Sequence, residues 1–140
     1  MQGFNFTTKI EEMPQAALEE RIRAGYEYDI PHKVICVPFI GTEEIVEHRF
    51  PEMIARCPAT GYPDTYELTL RYIPNKQIPE LKSLRFYLMD FVDLPISHEH
   101  LADKVFKEFN AKVQPSRLHL ELKTAVRGGI YTNVYKGEKF

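Results

Sequence analysis

Between positions 66 and 72 the chain alternates, with Tyr66, Leu68, Leu70 and Tyr72 set against Glu67, Thr69 and Arg71. A period of two sends apolar groups to one face of a sheet and polar groups to the other, so this segment predicts a half-buried strand. Leu118, Leu120 and Leu122 repeat the pattern against His119, Glu121 and Lys123, and residues 129–136 predict a last strand after the turn residues Gly128-Gly129. The period changes between 79 and 93. There Leu81, Leu84, Leu88 and Phe91 recur at spacings of three and four, which lines one side of a helix. A second helix is predicted after Ser97, a good N-cap, with Leu101, Val105, Phe106 and Phe109 inward and Pro115 beyond its end.

Upstream, residues 33–39 and 44–50 predict two strands, and Gly41-Thr42 between them supplies the turn residues of a hairpin. Residues 16–22 are helix-prone but bracketed by Pro14 and Gly25, so only a short helix is expected. Pro51, Pro58, Gly61 and Pro63 make residues 51–64 a shaped loop with a turn of helix at 53–55. The order strand, strand, helix, helix, strand, strand predicts an α+β domain whose antiparallel sheet has one face covered by the helix pair. Exposed edges in so small a sheet favour pairing with another subunit.

Composition narrows the class. A length of 140 residues implies one domain spanning 1–140, in which residues 1–32 form an N-terminal extension without an assigned role. Hydrophobic residues at 44% and charged residues at 27% suit a folded globular chain. A formal charge of -2 without a basic run excludes the electrostatic footprint of a direct nucleic-acid partner. No apolar stretch reaches the ~20 residues of a membrane span, and Met1-Gln2-Gly3-Phe4 does not open a signal peptide, so a cytoplasmic location is expected. Both cysteines are expected to be free thiols.

Cys36, inside Val34-Ile35-Cys36-Val37, reads as a small buried hydrophobe. Cys57 follows Arg56 and opens Cys57-Pro58-Ala59-Thr60-Gly61-Tyr62-Pro63-Asp64, where it is either one more structural thiol or, with an adjacent cation lowering its pKa, a nucleophilic thiolate. Asp64 closes the loop as a candidate proton carrier, or as a turn residue. In Ser97-His98-Glu99-His100, Glu99 is either a first-turn acid or a carboxylate that accepts two N–H bonds from a purine-like ring edge. Lys82 and Arg85 share a helix face with Ser83 nearby, either a solvated face or a phosphate site, and Arg127 stands beside Gly128-Gly129. His98, His100 and Cys57 lack a metal-ligand spacing, so no metal is expected.

Four motifs in order together resemble the 7-cyano-7-deazaguanine reductases, the nitrile reductases of queuosine biosynthesis in the tunnelling-fold superfamily. They are Cys57 through Asp64, Glu80-Leu81-Lys82-Ser83-Leu84-Arg85-Phe86-Tyr87, His98-Glu99, and Arg127-Gly128-Gly129-Ile130. The resemblance implies a tunnelling fold in which a strand-strand-helix-helix-strand-strand unit joins others into an oligomeric barrel. It implies a thioimide formed by Cys57, protons handled by Asp64, and a deazapurine substrate held by Glu99 and His98 near Pro79, Glu80 and Leu81. It also implies NADPH served by Lys82, Ser83, Arg85 and Arg127, and a homo-oligomer, pentamer-based and extending to a decamer, with interfacial active sites. The chain departs from the family at residues 92–97 and carries Arg85 where lysine is usual. Two other readings stay open: a related enzyme that adds ammonia to the nitrile on tRNA, and a non-catalytic purine- or pterin-binding oligomer.

Overall fold

The computed structural model describes residues 10–126 and 128–140. In chain order its elements are α1 (Gln15–Tyr26), β1 (Cys36–Pro38), β2 (Val46–Arg56), β3 (Pro63–Ile73), β4 (Gln77–Pro79), α2 (Leu81–Met89), α3 (His98–Val113), β5 (Arg117–Thr124) and β6 (Asn133–Lys136). An antiparallel sheet runs in the order β2-β3-β5-β6, and β1 pairs with β4 as a separate antiparallel ribbon. Two strands, two helices and two strands therefore succeed one another around the main sheet, as the periodicity predicts.

One face of the sheet carries the core. Met53, Ala55, Tyr66, Leu68, Leu70, Tyr72, Leu118, Leu120 and Leu122 are buried there. Leu101, Val105 and Phe109 of α3 and Leu84 and Leu88 of α2 belong to the same buried cluster. Removing such apolar surface from water is the main term that holds helices to sheet. The opposite face is charged, with ion pairs Arg49–Glu67, Glu47–Arg71 and Glu121–Lys123 along it.

Several expectations are corrected. Residues 33–39 and 44–50 do not form a hairpin, because β1 pairs with β4 from Cys36↔Pro79 to Pro38↔Gln77. A two-residue hairpin turn needs φ > 0 at its centre, and Gly41 does not adopt it. Nor is 51–64 one loop with a helical turn: β2 continues through Pro51 to Arg56, with a register shift between Phe50 and Met53. Pro51 is tolerated because β2 is an edge strand and the bulge absorbs the missing N–H. The first helix spans 12 residues, since Gly25 lies inside it, buried, instead of ending it. The helix read across 79–93 is confined to Leu81–Met89, and Leu81 is exposed. The last strand starts at Asn133. Cys36 is half-buried, not a core thiol.

The segment between α2 and α3 runs beside the end of β2. The Arg56 N–H donates to the Leu94 carbonyl at 2.9 Å, and the Ile96 N–H donates to the Arg56 carbonyl at 3.1 Å. This parallel bridge brings the N-terminus of α3 up to the turn that joins β2 and β3.

Candidate active site

The β2–β3 turn carries Cys57 and is closed by its own backbone. The Cys57 N–H donates to the Tyr62 carbonyl at 2.9 Å, and the Gly61 N–H donates to the Cys57 carbonyl at 2.9 Å. Gly61 sits at φ 78, a conformation that glycine reaches without a Cβ clash. The Tyr62 N–H donates to Thr60 Oγ1 at 3.2 Å. Burial pushes the Cys57 thiol up, but the Thr60 hydroxyl and the N–H groups of Thr60 and Ala59 outweigh it and hold the thiol below its ordinary value. The nearby charge of Asp64 opposes that lowering. A larger thiolate fraction makes a better nucleophile near neutral pH.

The cation expected to act on this thiol has another task. Arg56 Nη1 donates to the Gly61 carbonyl at 2.9 Å, and Nη2 pairs with Asp93 at 2.9 Å. Arg56 thus fixes the loop's shape, while local donors act on the sulfur.

Asp64, 6% exposed, lies opposite Ala55 in the β2–β3 register. With His98, Thr65, Thr124 and Ala125 it lines a cleft of about 110 Å³. Tyr66 Oη lies 2.9 Å from His98 Nδ1, and the two rings meet edge-on at 5.5 Å. A phenol on one ring nitrogen fixes the imidazole plane and leaves the other nitrogen for a ligand. Ser97 caps α3, as its type predicts, by accepting from the His100 N–H. Glu99 is exposed in the first turn, where the helix end favours a carboxylate.

The second cluster lies beside the middle of β2, at its bulge. Glu80, Leu81, Lys82 and Arg85 line a groove of about 740 Å³ with His48, Arg49, Phe50, Pro51 and Glu52 of the bulged strand. The Glu80 carboxylate caps α2, accepting from the Lys82 N–H at 3.0 Å and the Ser83 N–H at 2.7 Å. These bonds hold its pKa below the usual carboxylate value. Ser83 is buried; its hydroxyl donates to the Glu80 carbonyl at 2.8 Å and accepts from the Ile35 N–H at 2.9 Å. It secures α2 to the residue before β1 and is not among the groove's lining residues. Pro79 is buried at the end of β4. Arg127 lies outside the described residues.

Within one chain the expected residues thus fall into two groups, Cys57, Asp64, His98 and Glu99 in one and Glu80, Leu81, Lys82 and Arg85 in the other. From Glu52, the last β2 residue lining the groove, to Cys57 just past the end of β2 is five residues, on the order of 16 Å at strand rise. Three contributors escaped the sequence reading: Thr60 on the thiol, Tyr66 on His98, and Arg49 in the groove. Only Tyr66 carried a signal, as a tyrosine at an inward strand position whose hydroxyl needs a partner.

A family model described as QueF-like protein matches residues 63–139. The NADPH-dependent 7-cyano-7-deazaguanine reductase of Thermoanaerobacter pseudethanolicus is 33% identical over 125 residues, which cover 87% of each chain. The enzyme of the same name from Chloroherpeton thalassium is 40% identical over 101 residues, 70% of this chain and 84% of that one. The one from Nitrosomonas europaea is 40% identical over 89 residues, and the match spans 64% of each chain, less than two thirds of that relative's length. Among solved structures, the crystal structure of the archaeosine synthase QueF-Like in the apo form superposes with a TM-score of 0.58 at 20% identity, covering 70% of this chain and 94% of that one. At that identity the likeness is one of fold.

Proposed function

The chain belongs to the QueF-like protein family, and from that premise we propose that it is an NADPH-dependent oxidoreductase that reduces the nitrile of 7-cyano-7-deazaguanine to the aminomethyl group, in queuosine biosynthesis. The observation that carries the reading is a thiol held low by Thr60 and two backbone N–H groups, in a closed loop that ends at the buried Asp64. The Cys57 thiolate adds to the nitrile carbon; the S–C bond forms, one C–N π bond breaks, and the nitrogen takes a proton to give a thioimide. Asp64 handles that proton and those of the later steps. Glu99 accepts two N–H bonds from the deazapurine edge, and His98, fixed by Tyr66, holds the ring beside it.

The cofactor fits the second cluster. Lys82 and Arg85 are exposed on one helix face, Arg49 stands across the groove, and the volume of about 740 Å³ suits a dinucleotide held by its phosphates. Bound there, NADPH supplies hydride. Lys82 and Arg85 would bind its phosphates, with Ser83 keeping α2 in place behind them and Pro79, Glu80 and Leu81 bordering the substrate; Arg127 is assigned to the same cofactor by its motif alone.

Because the two groups stand apart in one chain, the site is completed between copies of this chain in a pentamer-based ring, extending to a decamer. Two features support this: β2 and β6 are the edges of the sheet, and Tyr135 in β6 and Tyr131 just before it are exposed. Among the described residues no helix is long and apolar enough to cross a membrane, and we place the enzyme in the cytoplasm.

The test is cofactor stoichiometry with the purified protein and 7-cyano-7-deazaguanine. Two NADPH oxidised per aminomethyl product is the expected result. Amidine formed with ammonia and without NADPH on tRNA that carries the nitrile would move the chain to the amidine-forming reading, and binding of the base without turnover of either substrate to the non-catalytic one.

A further inference from the structure

Helix α1, to which the sequence assigns no role, is seated against the Cys57 loop. Its C-terminal half is fixed to α3: the Lys104 ammonium donates to the carbonyls of Tyr26 at 2.6 Å and Tyr28 at 2.7 Å. The Tyr26 hydroxyl bonds Asp103, and its ring meets His100 edge-on at 5.8 Å. Gly25 lies directly on the Pro95 carbonyl. Arg21 is four residues earlier and so on the same helix face. Its Nε donates to the Pro58 carbonyl at 3.0 Å, a bond that joins residues 37 apart. Beside it Leu18 and Ile22 of α1, with Pro58, Ile96 and His100, enclose an apolar cavity of about 260 Å³.

The carbonyl that Arg21 holds belongs to the same peptide unit as the Ala59 N–H. That unit is trans, so its C=O and N–H point in opposite directions within one plane. The Ala59 N–H is among the backbone groups whose partial positive charge favours the Cys57 thiolate. A guanidinium on the oxygen therefore fixes the tilt of the peptide that follows Pro58 in the Cys57 loop, and by polarising the amide it raises the partial positive charge on the Ala59 N–H. We propose that Arg21 is a positioning residue for Cys57: by holding the Pro58 carbonyl, it locks the Pro58–Ala59 peptide of the closed loop and with it the backbone dipoles that Cys57 meets. The coupling rests on the reading of Cys57 as the nucleophile but can be measured without substrate.

The other titratable and charged groups around the loop are Arg56 on β2, Asp64 on β3, Asp93 before α3, and His98, Glu99 and His100 at the start of α3. None of them is altered in the test. In a Cys36→Ala background, the rate of Cys57 alkylation by iodoacetamide is followed against pH for the parent, Arg21→Gln, Arg21→Lys and Arg23→Gln. Arg23 pairs with Glu19 and Glu27 on the solvent side of the same helix and reports any general effect of altering α1. The expected result is a rise of about half to one pH unit in the thiol's apparent pKa for Arg21→Gln. Arg21→Lys is expected to fall between it and the parent, and Arg23→Gln to leave the value in place.

A folded Arg21→Gln with an unshifted profile overturns the proposal, as does an equal shift in Arg23→Gln. Should Arg21→Gln lose its native circular dichroism, Arg21→Lys decides on the same criterion. A parent protein that forms no adduct with the nitrile, while Arg21→Gln still shifts the profile, sinks the reductase reading and upholds the coupling.

Discussion

Replacing Gly25 by alanine tests the seating of α1 by reversing an ordinary expectation. In a helix interior alanine is favoured over glycine by about 1 kcal/mol, so an unencumbered Gly→Ala change stabilises. Here the added Cβ would stand 2.1 Å from the Pro95 carbonyl oxygen and 3.3 Å from its carbon, both backbone atoms. Pro95 cannot easily yield, because Leu94 and Ile96 on either side are hydrogen-bonded to Arg56. The helix must therefore back away by roughly 1 Å or more to restore an ordinary contact. Overpacking of this kind costs about 1–3 kcal/mol, and the clash belongs at the upper end, so the net destabilisation is about 1–2 kcal/mol after the helix-propensity gain. For a chain of 140 residues that lowers the thermal midpoint by about 3–7 °C. Urea denaturation of both proteins, with the slopes compared, measures it. Gly25→Ala at or above parental stability would refute the seating, and with it the path from α1 to the Cys57 loop.

Other predictions follow from the same geometry. Thr60→Val removes the hydroxyl that lowers the Cys57 thiol, so alkylation near pH 7 should slow several-fold while Thr60→Ser restores it. Lys104→Met leaves the Tyr26 and Tyr28 carbonyls without their buried ammonium and should cost about 2–4 kcal/mol in urea. Burial alone would push the Asp103 carboxyl up, but Lys136, Tyr26 and Lys107 hold it well below the usual range. A depressed native pKa stabilises above the unfolded value of about 3.9 and is lost as pH falls towards the native one. Asp103→Asn should therefore flatten the acid limb of a stability–pH curve between about pH 5 and pH 2.

The strands at 66–72 and 118–122 and the two helices were legible because burial on one face imposes a period, and Tyr66, Leu70, Leu120, Val105 and Phe109 all obey it. What misled was chemistry that depends on tertiary position. Pro51 reads as a strand breaker, but an edge strand with a bulge has no use for its missing N–H. Gly25 reads as a helix end, but its value is the absent Cβ beside the Pro95 carbonyl. Gly41-Thr42 reads as a hairpin turn, but β1 is claimed by β4, a partner some 40 residues later. At the site, the motif picked out Cys57 and Asp64 but assigned the thiol's activation to Arg56. Adjacency in sequence does not set where a guanidinium ends, and this one is held by Asp93 and the Gly61 carbonyl. Arg21 left no trace in the sequence, since a single long-range bond to a carbonyl has no local pattern.

The most direct test of the central claim is the intact mass of the purified protein after mixing with 7-cyano-7-deazaguanine in the absence of NADPH. A nucleophilic Cys57 predicts a gain equal to the whole mass of the nitrile compound, because addition to the triple bond expels nothing. The gain should be absent in Cys57→Ala and should vanish when NADPH is added. A parent protein that binds the compound yet keeps its own mass, or an adduct that survives in Cys57→Ala, would contradict the account.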